Sequence, residues 1–228
     1  MFNKNKKNKA VLGGKIKLVV AFKNWLHQGF FYLDRTEKFY RIIWELIPFF
    51  IFYNILILFI PTIWALLISA LIAHTLNWIF NDNFWTAIMF TFPKVLNQGE
   101  EKTIEYLCNI QDRLSNYSCI SGLILYGSIS RGTWHNKSDI DARILRKPGV
   151  LNGLRVYLIL FKERYIAVLR RQPLDIYMAD SIIFLNKMRN DEFPIFLVIN
   201  DNKLKKRYGE VLTTNFKSVN SINNLNTL

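Results

Sequence analysis

Asp139 and Asp141 are separated by one residue in the run Ser-Asp-Ile-Asp-Ala-Arg-Ile-Leu over 138–145. On a strand, residues two apart point to the same face. The pair would therefore present two carboxylates side by side while Ile140, Ala142 and Ile144 turn into a core. Such carboxylates repel each other unless a cation sits between them, and hard divalent ions such as Mg²⁺ prefer oxygen ligands and hold phosphate oxygens as well. Asp175, in Pro-Leu-Asp-Ile-Tyr-Met over 173–178, adds a third carboxylate at the start of a neighbouring strand. Upstream, Gly127 ends an apolar run and lets the backbone pass close to a ligand. Ser128 follows where a helix start would offer free N–H groups and the positive dipole end to a phosphate. Three carboxylates, a phosphate-cradling turn and two metal ions are the parts needed for two-metal phosphoryl or nucleotidyl transfer.

The elements that must position these groups are legible in the same region. The stretch 99–117 places Ile104, Leu107, Ile110 and Leu114 at helical spacing with acidic residues at its start. Strands are predicted within 121–128, 139–145, 173–180 and 194–200, a long helix over 150–172 and a further helical stretch over 181–192. That order gives an α/β (α+β) domain with a short central mixed sheet.

The motif as a whole, Gly-Ser-Ile-Ser-Arg-Gly over 127–132, five residues, then Ser-Asp-Ile-Asp over 138–141, resembles the signature of the DNA polymerase β-like nucleotidyltransferase superfamily. The resemblance covers about 125–178 and implies a fold extending over 100–210. It implies that Gly127 and Ser128 hold the β- and γ-phosphates of a nucleoside triphosphate, with Gly132 and Ser138 as further members of the nucleotide-binding pattern. Asp139 and Asp141 would bind two Mg²⁺ ions, with Mn²⁺ as the substitute. Asp175 would complete one metal site and help deprotonate the acceptor, and Arg131 would support the triphosphate or the turn. One position departs from the superfamily pattern, in which apolar residues follow the second aspartate. Arg143 falls on the strand face of Asp139 and Asp141, where it either reaches a triphosphate or anionic acceptor or pairs with a carboxylate.

The rest of the chain implies a different solvent. Of 228 residues 51% are hydrophobic, the net charge is +13, and no Asp, Glu, Lys or Arg occurs from Leu46 to Asn81. A spanning helix needs roughly 20 apolar residues. This stretch is nearly twice as long, and Pro61 near its centre breaks it, which predicts a transmembrane or re-entrant hairpin with spans of about 43–60 and 62–80. Asn54 is expected to bond across the two helices. Residues 18–33, with Trp25, Phe30, Phe31 and Tyr32 and with Lys17 and Lys23 nearby, suit a helix lying in the headgroup plane, and the apolar segment 83–96 is expected to skim the surface. Lys and Arg crowd the segment before the hairpin, so the N-terminus and the domain after the hairpin are both expected to face the cytoplasm at the cytoplasmic membrane. The expected division is a basic tail and interfacial helix over 1–41, the hairpin and interfacial segment over 42–98, the nucleotidyltransferase-like domain over 99–212 and a polar, disordered tail over 213–228.

Cys108 and Cys119 match no metal or redox spacing, and the three histidines are too few for a zinc site. His135 is expected to be exposed, and Trp134 to stack on a base or touch lipid. The leading reading is a membrane-anchored nucleotidyltransferase that moves a nucleoside monophosphate from a nucleoside triphosphate to an unknown acceptor, itself associated with the lipid bilayer, and releases pyrophosphate. A partner subunit or a homo-oligomer would supply specificity. The alternative is a non-catalytic, antitoxin-like regulatory protein of the same fold at the membrane. Nucleic acid is disfavoured as a partner, because much of the positive charge lies before the hairpin, where topology accounts for it.

Overall fold

The computed structural model describes residues 19–81, 98–135 and 138–208. The basic tail, the segment 83–96 and the polar C-terminal tail expected over 1–18, 82–97 and 209–228 lie outside the described residues.

The described N-terminal part is helical. Helix α1 covers 19–27 and leads through a turn at Phe30–Tyr32 into α2 (Arg35–Leu56) and α3 (Thr62–Asn81). A five-residue connection, 57–61, ending in Pro61 joins α2 and α3. Ala65, Ser69 and Ala73 recur every fourth residue and are buried, so small side chains let the two helices approach closely. Asn54 does not reach across to the other helix. Its amide donates to the Phe50 carbonyl one turn back, at 2.7 Å, which satisfies the group within α2. At the base of the hairpin, Glu45 accepts from Asn77 and pairs with His74, and His74 also meets the Trp25 carbonyl.

The C-terminal part is the α/β domain read from the sequence: α4 (Glu100–Ser115), β1 (Ile120–Tyr126), β2 (Ile140–Arg146), α5 (Val150–Leu169), β3 (Leu174–Ala179), β4 (Ile195–Ile199) and α6 (Asn202–Tyr208). The sheet order is β3-β2-β1-β4. β1 runs antiparallel to β2 and β4, and β2 runs parallel to β3 through the crossover helix α5. The stretch 181–192 is shorter in helix than expected, forming only a 3₁₀ segment at Ile182–Lys187. Period-two alternation on β2 buries Ile140, Ala142 and Ile144 beneath α4 and α5, in a core with Leu107, Leu114, Val156 and Leu160. The same alternation turns Asp141 and Arg143 to the other face.

Helix α2 is built into this domain. Gly153 of α5 lies against Thr36, Tyr40 stacks on Tyr157 with centroids 5.4 Å apart, and Trp44 meets Phe161. The Tyr157 hydroxyl donates to Asn81 at the end of α3, at 2.9 Å. β3 is an edge strand, and unpaired edge groups invite aggregation unless they are covered. Here Glu37 accepts from the Met178 amide, Arg164 donates to the Ile176 carbonyl, and Asp34 accepts from the Asp180 amide. Glu37, fully buried, also pairs with Arg41 and Arg164. At the opposite edge, Gln111 of α4 donates to the Leu197 carbonyl of β4.

Candidate active site

The sheet register assembles the site. Asp141 on β2 is flanked by Tyr126 on β1 and by Asp175 on β3, each at the paired position. Asp139 lies just before β2. Together the carboxylates of Asp139, Asp141 and Asp175 offer oxygens that lie within 4.8 Å of one another. Residues 140 and 174 start their strands, so the three acids cluster at one end of the sheet, where the chain enters β2 and β3 and leaves β1.

The turn after β1 closes over them. Gly127 has φ of +70°, a conformation that disfavours other residues, and a β-carbon there would collide with the Asp141 carboxylate. The sequence led us to expect a helix start at Ser128. The structure instead forms a series of tight turns over 127–132, with Arg131 and Thr133 amides bonded to the Gly127 and Ser128 carbonyls. A helix is not needed to pack the turn against Asp141, and Gly132 at φ of +65° ends it. The Ser128 hydroxyl is buried and makes no hydrogen bond among the described residues. Ser138 is buried and ties the loop instead, accepting from the His135 amide at 3.1 Å.

Electrostatics at this end are strained. Burial, then the charges of Asp139, Asp175 and Glu192, push the Asp141 carboxyl up to about 8 against the opposing pull of Arg131. Burial likewise raises Asp139. A divalent cation would remove this strain, and the donor set of carboxylate oxygens with an unsatisfied hydroxyl suits a hard ion. The residues present therefore fit divalent metal.

Arg131 forms an ion pair with Glu192, a residue that the sequence did not single out. No motif could have flagged it, because only the path of the loop before β4 brings it beside the aspartates. Arg143 donates to the Tyr32 carbonyl at 3.1 Å and lies over the rings of Tyr126, Tyr177 and Phe184. Among the described residues it forms no ion pair with a carboxylate. Trp134 is a core residue, which removes it from both roles considered for it, whereas His135 is exposed as expected. Cys108 and Cys119 are both buried.

Residues 107–201 match the family model described as a nucleotidyltransferase domain. The matched span runs from within α4 to just beyond β4 and contains all three aspartates and the whole Gly-Ser turn. No curated protein matches the chain. The α/β fold and the Gly-Ser and Asp motifs over these residues are consistent with that match.

Proposed function

We propose that this protein is a membrane-anchored nucleotidyltransferase that moves a nucleoside monophosphate from a nucleoside triphosphate to a membrane-associated acceptor. The observation that carries the reading is the convergence of Asp139, Asp141 and Asp175 beneath a glycine-serine turn whose buried hydroxyl has no partner among the described residues. An acceptor oxygen forms the new bond to the α-phosphorus, the bond to the bridging oxygen breaks, and pyrophosphate leaves with the electron pair.

Gly127 and Ser128 receive the β- and γ-phosphates, and Gly132 and Ser138 keep the turn and its loop in place. Asp139, Asp141 and Asp175 hold two divalent ions, Mg²⁺ in the first instance. When bound, such ions neutralise the triphosphate and make the acceptor hydroxyl more acidic. Asp175 orients the acceptor and takes up its proton. Arg131 turns from Glu192 to the triphosphate, and Arg143 contacts an anionic part of the nucleotide or acceptor.

Two features support the membrane reading. Helices α2 and α3 are each long and apolar enough to cross a bilayer, yet only 11% and 22% of their most apolar stretches are buried. The core helices of a soluble domain would be mostly covered. The hairpin is also fastened directly to β3, the strand that carries Asp175, so the site is held at a fixed position relative to the membrane. The domain and the N-terminus then face the cytoplasm, where nucleoside triphosphates are available, and a partner subunit or second copy supplies acceptor specificity.

The test uses membranes containing the full chain, Mg²⁺ and each of the four α-labelled ribonucleotides. Label is followed into lipid, protein and soluble fractions, with the Asp139→Ala, Asp141→Ala double variant alongside. Label entering one fraction with the wild type alone identifies the acceptor class. Transfer that the double variant retains, or no transfer in extracts of the native host, overturns the reading.

A further inference from the structure

Helix α5 belongs to the catalytic domain, yet it exposes large apolar side chains along one stripe. Val150, Leu151, Leu154, Leu158, Tyr165 and Leu169 are all exposed, Leu151 to 70% and Leu169 to 65%. Soluble helices place polar residues there. The opposite face packs on the sheet through Val156, Leu160 and Ala167.

The contacts of α5 with the hairpin run in one direction. Gly153 lies at Thr36, Tyr157 at Tyr40 and Phe161 at Trp44. The two helices therefore advance together, and the far end of α5 lies toward the part of α2 where charge disappears after Glu45. Apolar surface is continuous between them, because Phe161 stacks on Phe80 of α3, itself exposed. Beyond Phe161 the exposed residues are Lys162, Tyr165, Leu169, Arg170 and Arg171. An aromatic, a leucine and adjoining arginines are what the boundary between headgroups and acyl chains accommodates. The arginines complement anionic headgroups.

We infer that the C-terminal end of α5, from Leu158 through Tyr165 and Leu169 to Arg170 and Arg171, is a second membrane contact, inserted end-on into the headgroup layer beside the hairpin. This rests on the reading of α2 and α3 as membrane-embedded. It adds that the catalytic domain itself touches lipid, which fixes its tilt on the bilayer. The N-terminal end of the stripe, at Val150 and Leu151, stays in water.

The experiment places one environment-sensitive fluorophore on a cysteine introduced into the full chain, reconstituted in vesicles of phosphatidylcholine and phosphatidylglycerol. Both native thiols are buried and are replaced by alanine. Ile63→Cys reports the hairpin, Leu169→Cys and Tyr165→Cys the far end of α5, and Leu151→Cys the near end. Quenchers are carried on shallow or deep positions of the lipid, or dissolved in water. The inference expects loss of emission at 63 with lipid-borne quenchers at either depth, at 165 and 169 with shallow lipid quenchers, and at 151 with aqueous quencher alone. Quenching at 63 but not at 165 or 169 overturns the inference and leaves the embedded hairpin standing. No lipid quenching at any position overturns both. Equal lipid quenching at 151 and 169 means that α5 lies flat, which also overturns the end-on geometry. Shielding of 165 and 169 from aqueous and lipid quenchers alike shows protein covering this end, from the chain between Asn81 and Gln98 or from a second copy, and overturns it too. Leu169→Glu provides an independent reading: the folded protein should lose the shallow quenching at 165 while 63 remains quenched.

Discussion

The carboxylate of Asp141 occupies the space that a side chain on Gly127 would need. The turn after β1 and the central aspartate of β2 are thus one packed unit. Replacing Gly127 with alanine forces Asp141 aside and also strains a backbone at φ of +70°. A displacement near 1 Å at a reacting centre costs about a hundredfold in rate. Gly127→Ala should therefore keep its circular-dichroism spectrum and lose divalent-dependent nucleotide transfer by at least about that factor. Near-normal transfer would show that Asp141 does not need its present position.

The acidic cluster makes pH a direct probe of metal binding. Burial, then its acidic neighbours, raises the folded-state carboxyl of Asp141 to about 8, above the 3.8 of the free side chain. Between those values the native protein holds a proton that the unfolded chain releases, so metal-free stability falls as pH rises through this window. A divalent ion must displace that proton, so its affinity rises across the same window and levels off above about 8. Melting curves with and without Mg²⁺ or Mn²⁺ should show metal stabilisation growing from acid to alkaline pH. Asp141→Asn should flatten both trends. Metal stabilisation that is independent of pH would remove Asp141 from the ligand set.

Glu37 joins the hairpin to the sheet edge through Arg41, Arg164 and the Met178 amide. Glu37→Gln removes the charge but leaves two arginines behind, and uncompensated buried charge costs roughly 3–5 kcal/mol. The variant should melt at lower temperature and become open to proteolysis between α1 and α2. Unchanged melting would mean that water reaches the arginines.

Gly153 allows α2 to approach α5. A β-carbon there would lie 2.8 Å from Thr36 Cγ2 and 3.3 Å from Tyr40 Cε2. Alanine gains about 1 kcal/mol in helix propensity over glycine, but overpacking costs roughly 1–3 kcal/mol. Gly153→Ala should therefore be neutral to destabilising in denaturant unfolding. Thr36→Ser removes the clashing methyl yet keeps the hydroxyl that accepts from Arg146 at 2.9 Å. Combined with Gly153→Ala it should restore stability, a coupling that a double-mutant cycle measures directly. Additive effects would show that the two residues do not meet.

The Asp180 carboxyl adds a pH-sensitive element to the same junction. Burial alone would raise it, but hydrogen bonds from Thr36 and Arg146 outweigh burial and hold it below the usual carboxylate range. Its contribution is present at neutral pH and lost as the solution falls below about 4. Acid unfolding should begin at higher pH in Asp180→Asn than in the wild type. The same acid midpoint in both would remove Asp180 from the junction.

The parts of the candidate site were legible along the chain because they rest on local rules. Asp139 at the entry to β2 and Asp141 on it stand two positions apart, and Ile140, Ala142 and Ile144 in alternation name the buried side. The order of apolar runs marked the four strands and the helices α4 and α5, and the uncharged stretch after Glu45 marked the hairpin. What local rules cannot carry is pairing between distant segments. The parallel register that sets Asp175 opposite Asp141, the loop that brings Glu192 to Arg131, and the burial of Trp134 depend on which strands become neighbours. The attachment of α2 to β3 had no signal in the sequence either. Glu37, Gly153 and Asp180 are unremarkable as single residues, and become a junction only where a helix end meets an exposed strand edge whose backbone groups must find partners. Local periodicity determined the parts and their faces, and long-range packing decided which parts meet.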